Sequence, residues 1–177
     1  MAFWFSCFLI YSFLGYCLEK SFASATHSDH RVRKCFLLLP LCPVYGAAMV
    51  AVLLLSYAAF PFSIRVIIGA IVCTAVEYLV HLFYDKVFHT QFWDYSDLSF
   101  HIKGRICPHF AVIWGILSTF TVDYIHPIVS KLASSVPSPL VFCAWMALAI
   151  DCVLTSALLR RYNDTELLSL RALLAQQ

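Results

Sequence analysis

Five long apolar segments run along the chain, separated by stretches that carry most of its charged and turn-forming residues. A segment of about 20 mostly apolar residues can cross a hydrocarbon core roughly 30 Å thick as a helix. Apolar residues follow one another without alternation, which favours helices over the strands of a membrane barrel. The pattern therefore predicts an all-α, multi-pass membrane helical bundle with five transmembrane helices, at residues 2–18, 41–60, 66–84, 108–128 and 139–159.

The pattern changes after the fifth segment. Leu167, Leu170 and Leu174 recur at the spacing of one helical face, as in a helix that lies in the membrane interface. Asn163 and Glu166 are spaced like the two residues of a capping box. A helical extension of the fifth span accounts for the same residues. We divide the chain into a transmembrane bundle, 1–159, and a cytoplasmic amphipathic tail, 160–177.

Composition agrees with a membrane location. Apolar residues make up 62 % of the 177-residue chain, charged residues 12 %, and the mean hydropathy is +0.81. A soluble domain of this size could not hide so much apolar surface, and a disordered chain would be far more polar. The net charge is only +2, so we expect the lipid bilayer, and no nucleic acid, as a partner.

The twelve Lys and Arg residues are unevenly distributed. Ten of them fall in the first predicted loop, the third loop and the tail, whereas only Arg65 and Lys131 fall in the other two loops. Loops rich in Lys and Arg tend to stay in the cytoplasm. The sequence therefore predicts an N-terminus outside the cell and a C-terminus in the cytoplasm.

The eight cysteines form no C-x-x-C pair. Five lie within predicted spans, where cysteine acts as a small apolar residue, and the others lie on the reducing side, where a disulfide framework is not expected. A metal cluster of Cys35, Cys42, His101, Cys107 and His109 is an alternative interpretation. Their spacing matches no common zinc pattern, so we expect no metal and no cofactor.

Ionisable residues within the predicted spans are candidates for function. Glu19 lies near the inner end of the first span, Glu77 in the third, Asp123 in the fourth and Asp151 near the middle of the fifth. Charged groups at membrane depth are costly and by default face the bundle interior, where they have partners. Glu19 or Asp123 at a membrane interface, or Asp151 bonded to a neighbouring helix, would explain them without a function.

Two cytoplasmic stretches, 33–46 and 93–108, are dense in basic, aromatic and Cys-Pro residues. We expect at least one of Glu19 and Glu77 to contact Arg33, Lys34 or Arg105 of these stretches, because a nearby cation offsets the cost of a buried carboxylate. An aromatic belt with positive-inside anchors is the alternative. The candidate site residues are Glu19, Arg33, Lys34, Tyr45, Glu77, Trp93, Asp94, Tyr95, Ser96, His101 and Arg105.

The same two stretches carry a family resemblance. In the first, the matching residues are Phe36, Leu37, Pro40, Cys42, Pro43, Tyr45 and Gly46. In the second, they are Trp-Asp-Tyr-Ser at 93–96 and Gly-Arg-Ile at 104–106, with His101 where the pattern has Asn. Lys34, Cys35 and Leu39 replace an Arg and two Gly of that pattern. With these motifs the chain resembles the ABC-transporter type IV, or CmpB-like, permease family of small bacterial membrane proteins.

The resemblance implies a permease-like component of an ABC-type transporter in the bacterial cytoplasmic membrane, with an unidentified substrate. The chain has no Gly-Lys-Ser/Thr phosphate-binding loop, so a separate ATPase subunit would supply the energy. Five spans are few for a transport pathway, so we expect a homo-oligomer. A membrane-embedded enzyme or lipid-handling protein is the second hypothesis, with carboxylates as acid or base and an Arg that binds phosphate. An accessory subunit with purely structural polar residues is the third.

Overall fold

The structure is a computed structural model that describes residues 1–25, 35–55 and 60–162. Arg33, Lys34 and the predicted tail from residue 163 onward lie outside the described residues. The helices, in chain order, are α1 (Ala2–Ala25), α2 (Pro43–Leu54), α3 (Phe62–Phe88), α4 (Pro108–Phe120), a π-helical turn (Thr121–Ile125), α5 (His126–Ser135) and α6 (Ser138–Tyr162).

The all-helical prediction is confirmed for the described residues. They contain no strand, and their one isolated bridge joins Ile102 to Ile106. Four helical stretches are long and apolar enough to cross a membrane, and they coincide with the first, third, fourth and fifth predicted spans. Their bounds are Ala2–Ser24, Phe62–Phe88, Pro108–Ser135 and Ser138–Arg161.

The second predicted span, 41–60, differs from the helix that the structure contains. Helix α2 has 12 residues, which corresponds to a length of about 18 Å. The backbone N–H of Cys42 donates to the carbonyl oxygen of Ser12 at 2.8 Å, and Ser12 lies halfway along α1. Helix α2 therefore begins in the middle of the bundle. Residues 56–59 lie outside the described part, so the count of five spans and the orientation stay predictions.

A non-helical segment, residues 35–42, leads into α2, and it is buried at both ends but exposed at Leu39 and Pro40. The side chains of Cys35, Phe36 and Leu37 are buried. The carboxylate of Asp151, halfway along α6, accepts hydrogen bonds from the backbone N–H groups of Leu38 and Leu39, at 3.2 and 2.9 Å. Backbone N–H groups at membrane depth need a partner inside the protein. Asp151 supplies it, and this explains why an irregular segment can lie inside the bundle.

Both Cys-Pro pairs open a helix, as the sequence predicts. Pro43 is the first residue of α2 and Pro108 the first residue of α4, each preceded by an extended cysteine. A proline at this position costs no helical hydrogen bond, because the first turn of a helix has no acceptor for its N–H groups. The ends of α1 and α3, the start of α4, and the segment 89–107 lie toward one end of the bundle, which we call the loop end, whereas α2 begins nearer the middle.

A π-helical turn interrupts the third long helix near the opposite end of the bundle. Pro127 follows it, and a proline can neither donate a backbone hydrogen bond nor fit its ring beside the carbonyl four residues earlier, here that of Asp123. The guanidinium of Arg65 on α3 binds the Asp123 carboxylate through both terminal nitrogens, Nη2–Oδ2 being 2.9 Å. Tyr11 Oη on α1 lies 2.9 Å from Nδ1 of His126. These contacts tie α1 and α3 to the turn.

Small residues decide which helices lie close together. At Gly115 of α4, an added Cβ would lie 2.4 Å from the carbonyl oxygen of Val66, so α3 and α4 pack backbone against backbone. At Gly46 of α2, an added Cβ would lie 2.5 Å from the carbonyl oxygen of Phe8 on α1. Helix α1 also packs on α5, but it is not closely packed against α4. A gap therefore separates α1 from α4 in the half of the bundle nearer the loop end.

Candidate functional site

A cavity of about 550 Å³ fills the space between α1, α2, α3 and α4. Its volume lies within the range of roughly 300–1,000 Å³ found for small-molecule sites. The wall is mainly aliphatic and aromatic, and among the described residues its carboxylates are Glu19 from α1 and Glu77 from α3. Five candidate residues from the sequence line this cavity: Glu19, Tyr45, Glu77, Trp93 and Tyr95.

Glu77 is the better buried of the two carboxylates. Its Oε1 accepts a hydrogen bond from the hydroxyl of Tyr95 at 2.9 Å, and its Oε2 accepts one from the indole N–H of Trp114 at 3.1 Å. The Tyr95 ring stacks on Phe110 with the ring centroids 4.7 Å apart. Burial raises the pKa of the Tyr95 phenol, so it remains a donor at neutral pH. The carboxylate therefore joins α3 to α4 and to the segment between them.

Glu19 is connected to the same wall through Tyr45. The Tyr45 hydroxyl donates to Glu19 Oε1 at 2.6 Å, and the Tyr45 ring stands edge to face against Trp114 at 5.6 Å. The ring lies against Gly15, where an added Cβ would come within 2.4 Å of it. Glu19 and Glu77 are therefore linked through one tyrosine and one tryptophan, across the width of the cavity.

Trp93, in the segment 89–107, is part of the cavity wall. Its backbone carbonyl is an acceptor 3.1 Å from His81 Nε2, which must carry the proton because a carbonyl oxygen only accepts. Its indole N–H donates to the carbonyl of Arg105 at 3.0 Å. The ring of Trp93 also stands edge to face against His81 at 5.2 Å. One polar and one aromatic contact with His81 thus hold Trp93 against α3, and the bond to Arg105 braces the segment 89–107 internally.

Arg105 lies outside the cavity wall. Its Nη2 binds Oδ2 of Asp85 at 2.6 Å, its Nη1 lies 3.3 Å from the Tyr78 hydroxyl, and the guanidinium lies 5.5 Å from the centre of the Tyr78 ring. The sequence analysis proposed Arg105 as one of three cations for Glu19 or Glu77, but its ion pair is with Asp85. Asp85 lies two turns beyond Glu77 on α3, level with the segment that carries Arg105.

The remaining candidates in the segment 89–107 shape its turns. The Asp94 carboxylate accepts hydrogen bonds from the N–H and the hydroxyl of Ser96, at 2.9 and 2.6 Å, and these hold the pKa of Asp94 below its usual range. His101 Nδ1 accepts the N–H of Gly104 at 2.9 Å. Gly104 has φ +68°, and an added Cβ would lie 2.3 Å from an Asp94 oxygen. A side chain at that position would therefore displace Asp94.

Two candidate cations and the alternative metal cluster remain to be placed. Arg33 and Lys34, the other two cations proposed for Glu19 or Glu77, lie outside the described residues. Across the described ranges, no three His, Cys, Asp or Glu side chains are grouped as metal ligands. Sequence reasoning did not place Phe110 and Trp114 in a binding site. Phe110 and Trp114 are four residues apart and so share one face of α4. That spacing, together with a Glu77 predicted to be buried, could have indicated that they line a site.

We predict that Arg105→Lys lowers the midpoint of thermal unfolding in detergent. A lysine ammonium cannot contact the Asp85 carboxylate and the Tyr78 hydroxyl with a planar fork, nor stack its charge on the ring as a guanidinium does. Differential scanning fluorimetry measures the change. Lys103→Arg, in the same exposed turn, is the control that should leave the midpoint unchanged. An unchanged unfolding midpoint for Arg105→Lys would show that any cation beside Asp85 and Tyr78 is sufficient.

The four long apolar helices of the described residues are those of a polytopic membrane protein. A family model described as "Putative ABC-transporter type IV" matches residues 6–156, and the chain belongs to this family. No curated protein and no solved structure matches the chain. The family assignment from the sequence motifs is thereby confirmed.

Proposed function

We propose that the protein is the permease-like component of an ABC-type transporter in a bacterial cytoplasmic membrane, and that it binds its solute in the cavity between α1 and α4. The observation that carries this proposal is the position of Glu19 and Glu77, on two different helices, in the wall of one cavity of about 550 Å³. A purely structural pair of carboxylates would need no such space beside it.

The surrounding backbone supports the proposal. Transporter sites lie near the membrane midplane, where discontinuous helices leave irregular backbone beside the solute. Here α2 begins at the level of Ser12, halfway along α1, after the non-helical segment 35–42. A π-helical turn, Thr121–Ile125, contributes Thr121 and Ile125 to the cavity wall. Such turns are common at functional sites.

The candidate residues have different proposed roles. Glu19, Tyr45, Glu77, Trp93 and Tyr95 line the cavity and would contact the solute. Residues that shape or anchor the segment 89–107 would control access from the loop end, and these are Asp94, Ser96, His101 and Arg105. Contact between the carboxylates and Arg33 or Lys34 remains part of the proposal.

The topology and partners belong to the same proposal. We infer five spans with the N-terminus outside, because the uneven distribution of Lys and Arg supports this orientation. A separate ATPase would drive transport, and a second copy of the chain would complete the pathway. The competing enzyme hypothesis required an Arg that binds phosphate beside the carboxylates. Its support is weaker, because Arg105 is paired with Asp85 away from the cavity wall.

The proposal is tested by ligand-induced stabilisation in detergent, because a ligand that binds only the folded state raises the unfolding temperature. The unfolding temperatures of wild type, Ile113→Trp and Ile116→Trp are measured with and without a panel of organic cations, organic anions, amino acids and sugars. Ile113→Trp places bulk in the cavity wall, whereas Ile116→Trp is its matched control on the same helix, outside the wall. Their native side chains are 49 % and 50 % exposed, so both variants should fold.

We expect at least one class to stabilise wild type and Ile116→Trp but not Ile113→Trp. Stabilisation by no class, or equal stabilisation of all three proteins, would contradict a solute site in this cavity.

A further inference from the structure

The segment 89–107 folds back alongside α3 instead of leaving the bundle. His81 Nε2 donates to the backbone carbonyl of Trp93, and the Glu77 carboxylate accepts the Tyr95 hydroxyl. His81 and Glu77 lie seven and eleven residues before the last residue of α3, or about 10 and 16 Å along the helix axis. The backbone around Trp93 and Tyr95 is therefore level with the last three turns of α3.

An exposed turn, residues 96–103, projects from this level. Its ends are paired, because the backbone N–H of Tyr95 donates to the carbonyl of Gly104 at 2.8 Å. Eight residues with paired ends reach at most about 14 Å, the length of four extended residues. The tip of the turn therefore lies close to the level at which α3 ends.

The length of α3 gives the depth of that level in a membrane. Helix α3 is one of the four helical stretches long and apolar enough to cross a bilayer, and it has 27 residues. Its length of about 40 Å matches the thickness of a bilayer with its headgroups, roughly 40–45 Å. With α3 across the bilayer, its last three turns lie at the membrane interface. The turn 96–103 therefore lies in or at the edge of the headgroup layer.

The side chains of the turn suit that layer. Leu98, Phe100 and Ile102 are 37 %, 84 % and 54 % exposed. Polar residues alternate with them along the chain, namely Asp97, Ser99, His101 and Lys103. Aromatic rings are favoured at the level of the headgroups, and a lysine beside them can extend its ammonium group to water. The turn thus offers an apolar set of side chains to lipid and a polar set to water.

The backbone holds Phe100 outward in a disfavoured conformation. Its φ is +62°, in the left-handed region that bulky residues rarely adopt. The N–H of Ile102 donates to the carbonyl of Ile106 at 2.9 Å, and His101 Nδ1 accepts the N–H of Gly104, which fixes the backbone on that side of Phe100. In water a largely exposed ring would gain nothing from this conformation. Contact of the ring with lipid would offset its cost.

We propose that the turn 96–103 inserts Leu98, Phe100 and Ile102 into the lipid headgroup layer, and that this contact anchors the segment 89–107. A water-soluble partner would have to enter that layer to cover Phe100, whereas lipid already occupies it. The same segment supplies Trp93 and Tyr95 to the cavity wall. The bilayer would therefore stabilise that wall, whatever solute the cavity binds.

Photo-crosslinking tests the insertion. Phe100→p-benzoylphenylalanine keeps an aromatic ring at an exposed position, so the variant should fold. The protein is irradiated in nanodiscs of phosphatidylethanolamine and phosphatidylglycerol, and mass spectrometry gives the yield of each adduct. The same residue at Ile116, exposed on α4, is the positive control, and at Asp97 it is the matched control in the turn.

We expect lipid adducts at position 100 at a yield close to that at position 116 and several times that at position 97. A lipid yield at position 100 no higher than at position 97, or adducts formed mainly with a second copy of the chain, would overturn the inference.

Phe100→Asn separates lipid contact from backbone preference. Asn adopts the left-handed conformation more readily than Phe, so in water the variant would hold the turn at least as well as wild type. In the headgroup layer it loses the apolar contact of the ring, which corresponds to about a tenfold change in an equilibrium constant. Hydrogen exchange in the same nanodiscs, followed at the amides of Tyr95 and Ile102, distinguishes these cases.

We expect both amides to exchange about tenfold faster in Phe100→Asn than in wild type. Ser99→Ala, which changes the exposed neighbour, should leave the exchange unchanged. Exchange in Phe100→Asn as slow as in wild type, or slower, would show that lipid contact at Phe100 does not anchor the segment.

Discussion

Asp151→Ala is expected to destabilise the protein by up to about 2–6 kcal/mol, taking about 1–3 kcal/mol for each of two backbone donors that lose their acceptor. The donors are the backbone N–H groups of Leu38 and Leu39, which the Asp151 carboxylate holds at 3.2 and 2.9 Å. In the middle of a bundle that spans a membrane, no water replaces the carboxylate. Reversible unfolding in mixed micelles, followed by circular dichroism, measures the loss.

Asp151→Asn provides a graded comparison. The amide keeps one oxygen, so it can satisfy one of the two N–H groups, and we expect a loss between those of wild type and Asp151→Ala. Asp97→Ala removes an exposed carboxylate and should change stability little. An Asp151→Ala protein as stable as wild type would mean that the segment 35–42 does not depend on this carboxylate.

Glu77→Leu is expected to have the second large effect, again up to about 2–6 kcal/mol for two donors that lose their acceptor, at about 1–3 kcal/mol each. The hydroxyl of Tyr95 and the indole N–H of Trp114 both lose their acceptor. Leucine fills a similar volume, so the loss of unfolding free energy reflects the missing hydrogen bonds rather than a void. The unfolding free energy in mixed micelles is again the measurement.

A double-mutant cycle isolates the Tyr95 contact. In a Tyr95→Phe background one donor is already absent, so Glu77→Leu should cost less than it does in wild type. Leu79→Ala, on the exposed side of α3, is the control for changes on the same helix. Equal costs of Glu77→Leu in the two backgrounds would show that the hydrogen bond from Tyr95 contributes nothing to stability.

Continuous apolar runs were enough to predict four of the long helices. Each helix pairs its backbone N–H and C=O groups within itself. Its own stretch of sequence therefore predicts it, whatever helices pack beside it. The segment 35–42 was harder, because its irregular backbone depends on Asp151, more than 100 residues away in sequence. Nothing in the local pattern around Leu38 and Leu39 distinguishes a buried irregular segment from a loop followed by a full span.

The positions of the candidate residues were predictable only in part. The cost of a charge at membrane depth placed Glu77 toward the bundle interior, and Glu77 is buried there. The partner of Arg105 was not predictable by sign of charge alone, since Glu19, Glu77 and Asp85 are all acidic. The position along α3 determines that Arg105 pairs with Asp85, because Asp85 lies two turns closer to the loop end than Glu77. The void beside the carboxylates results from α1 and α4 packing on different neighbours, which no sequence motif encodes.

The native cysteines allow the central claim, a solute site between α1 and α4, to be measured in the unaltered protein. Cys73 lines the cavity and Cys7 does not, although both thiols are buried, 8 % and 0 % exposed. Peptide mapping by mass spectrometry after timed N-ethylmaleimide treatment in lipid nanodiscs gives the modification rate of each. We predict that Cys73 is modified faster than Cys7, and that a solute that stabilises the wild-type protein slows the modification of Cys73 alone. Equal protection of the two thiols, or no effect of any stabilising solute on Cys73, would contradict the account.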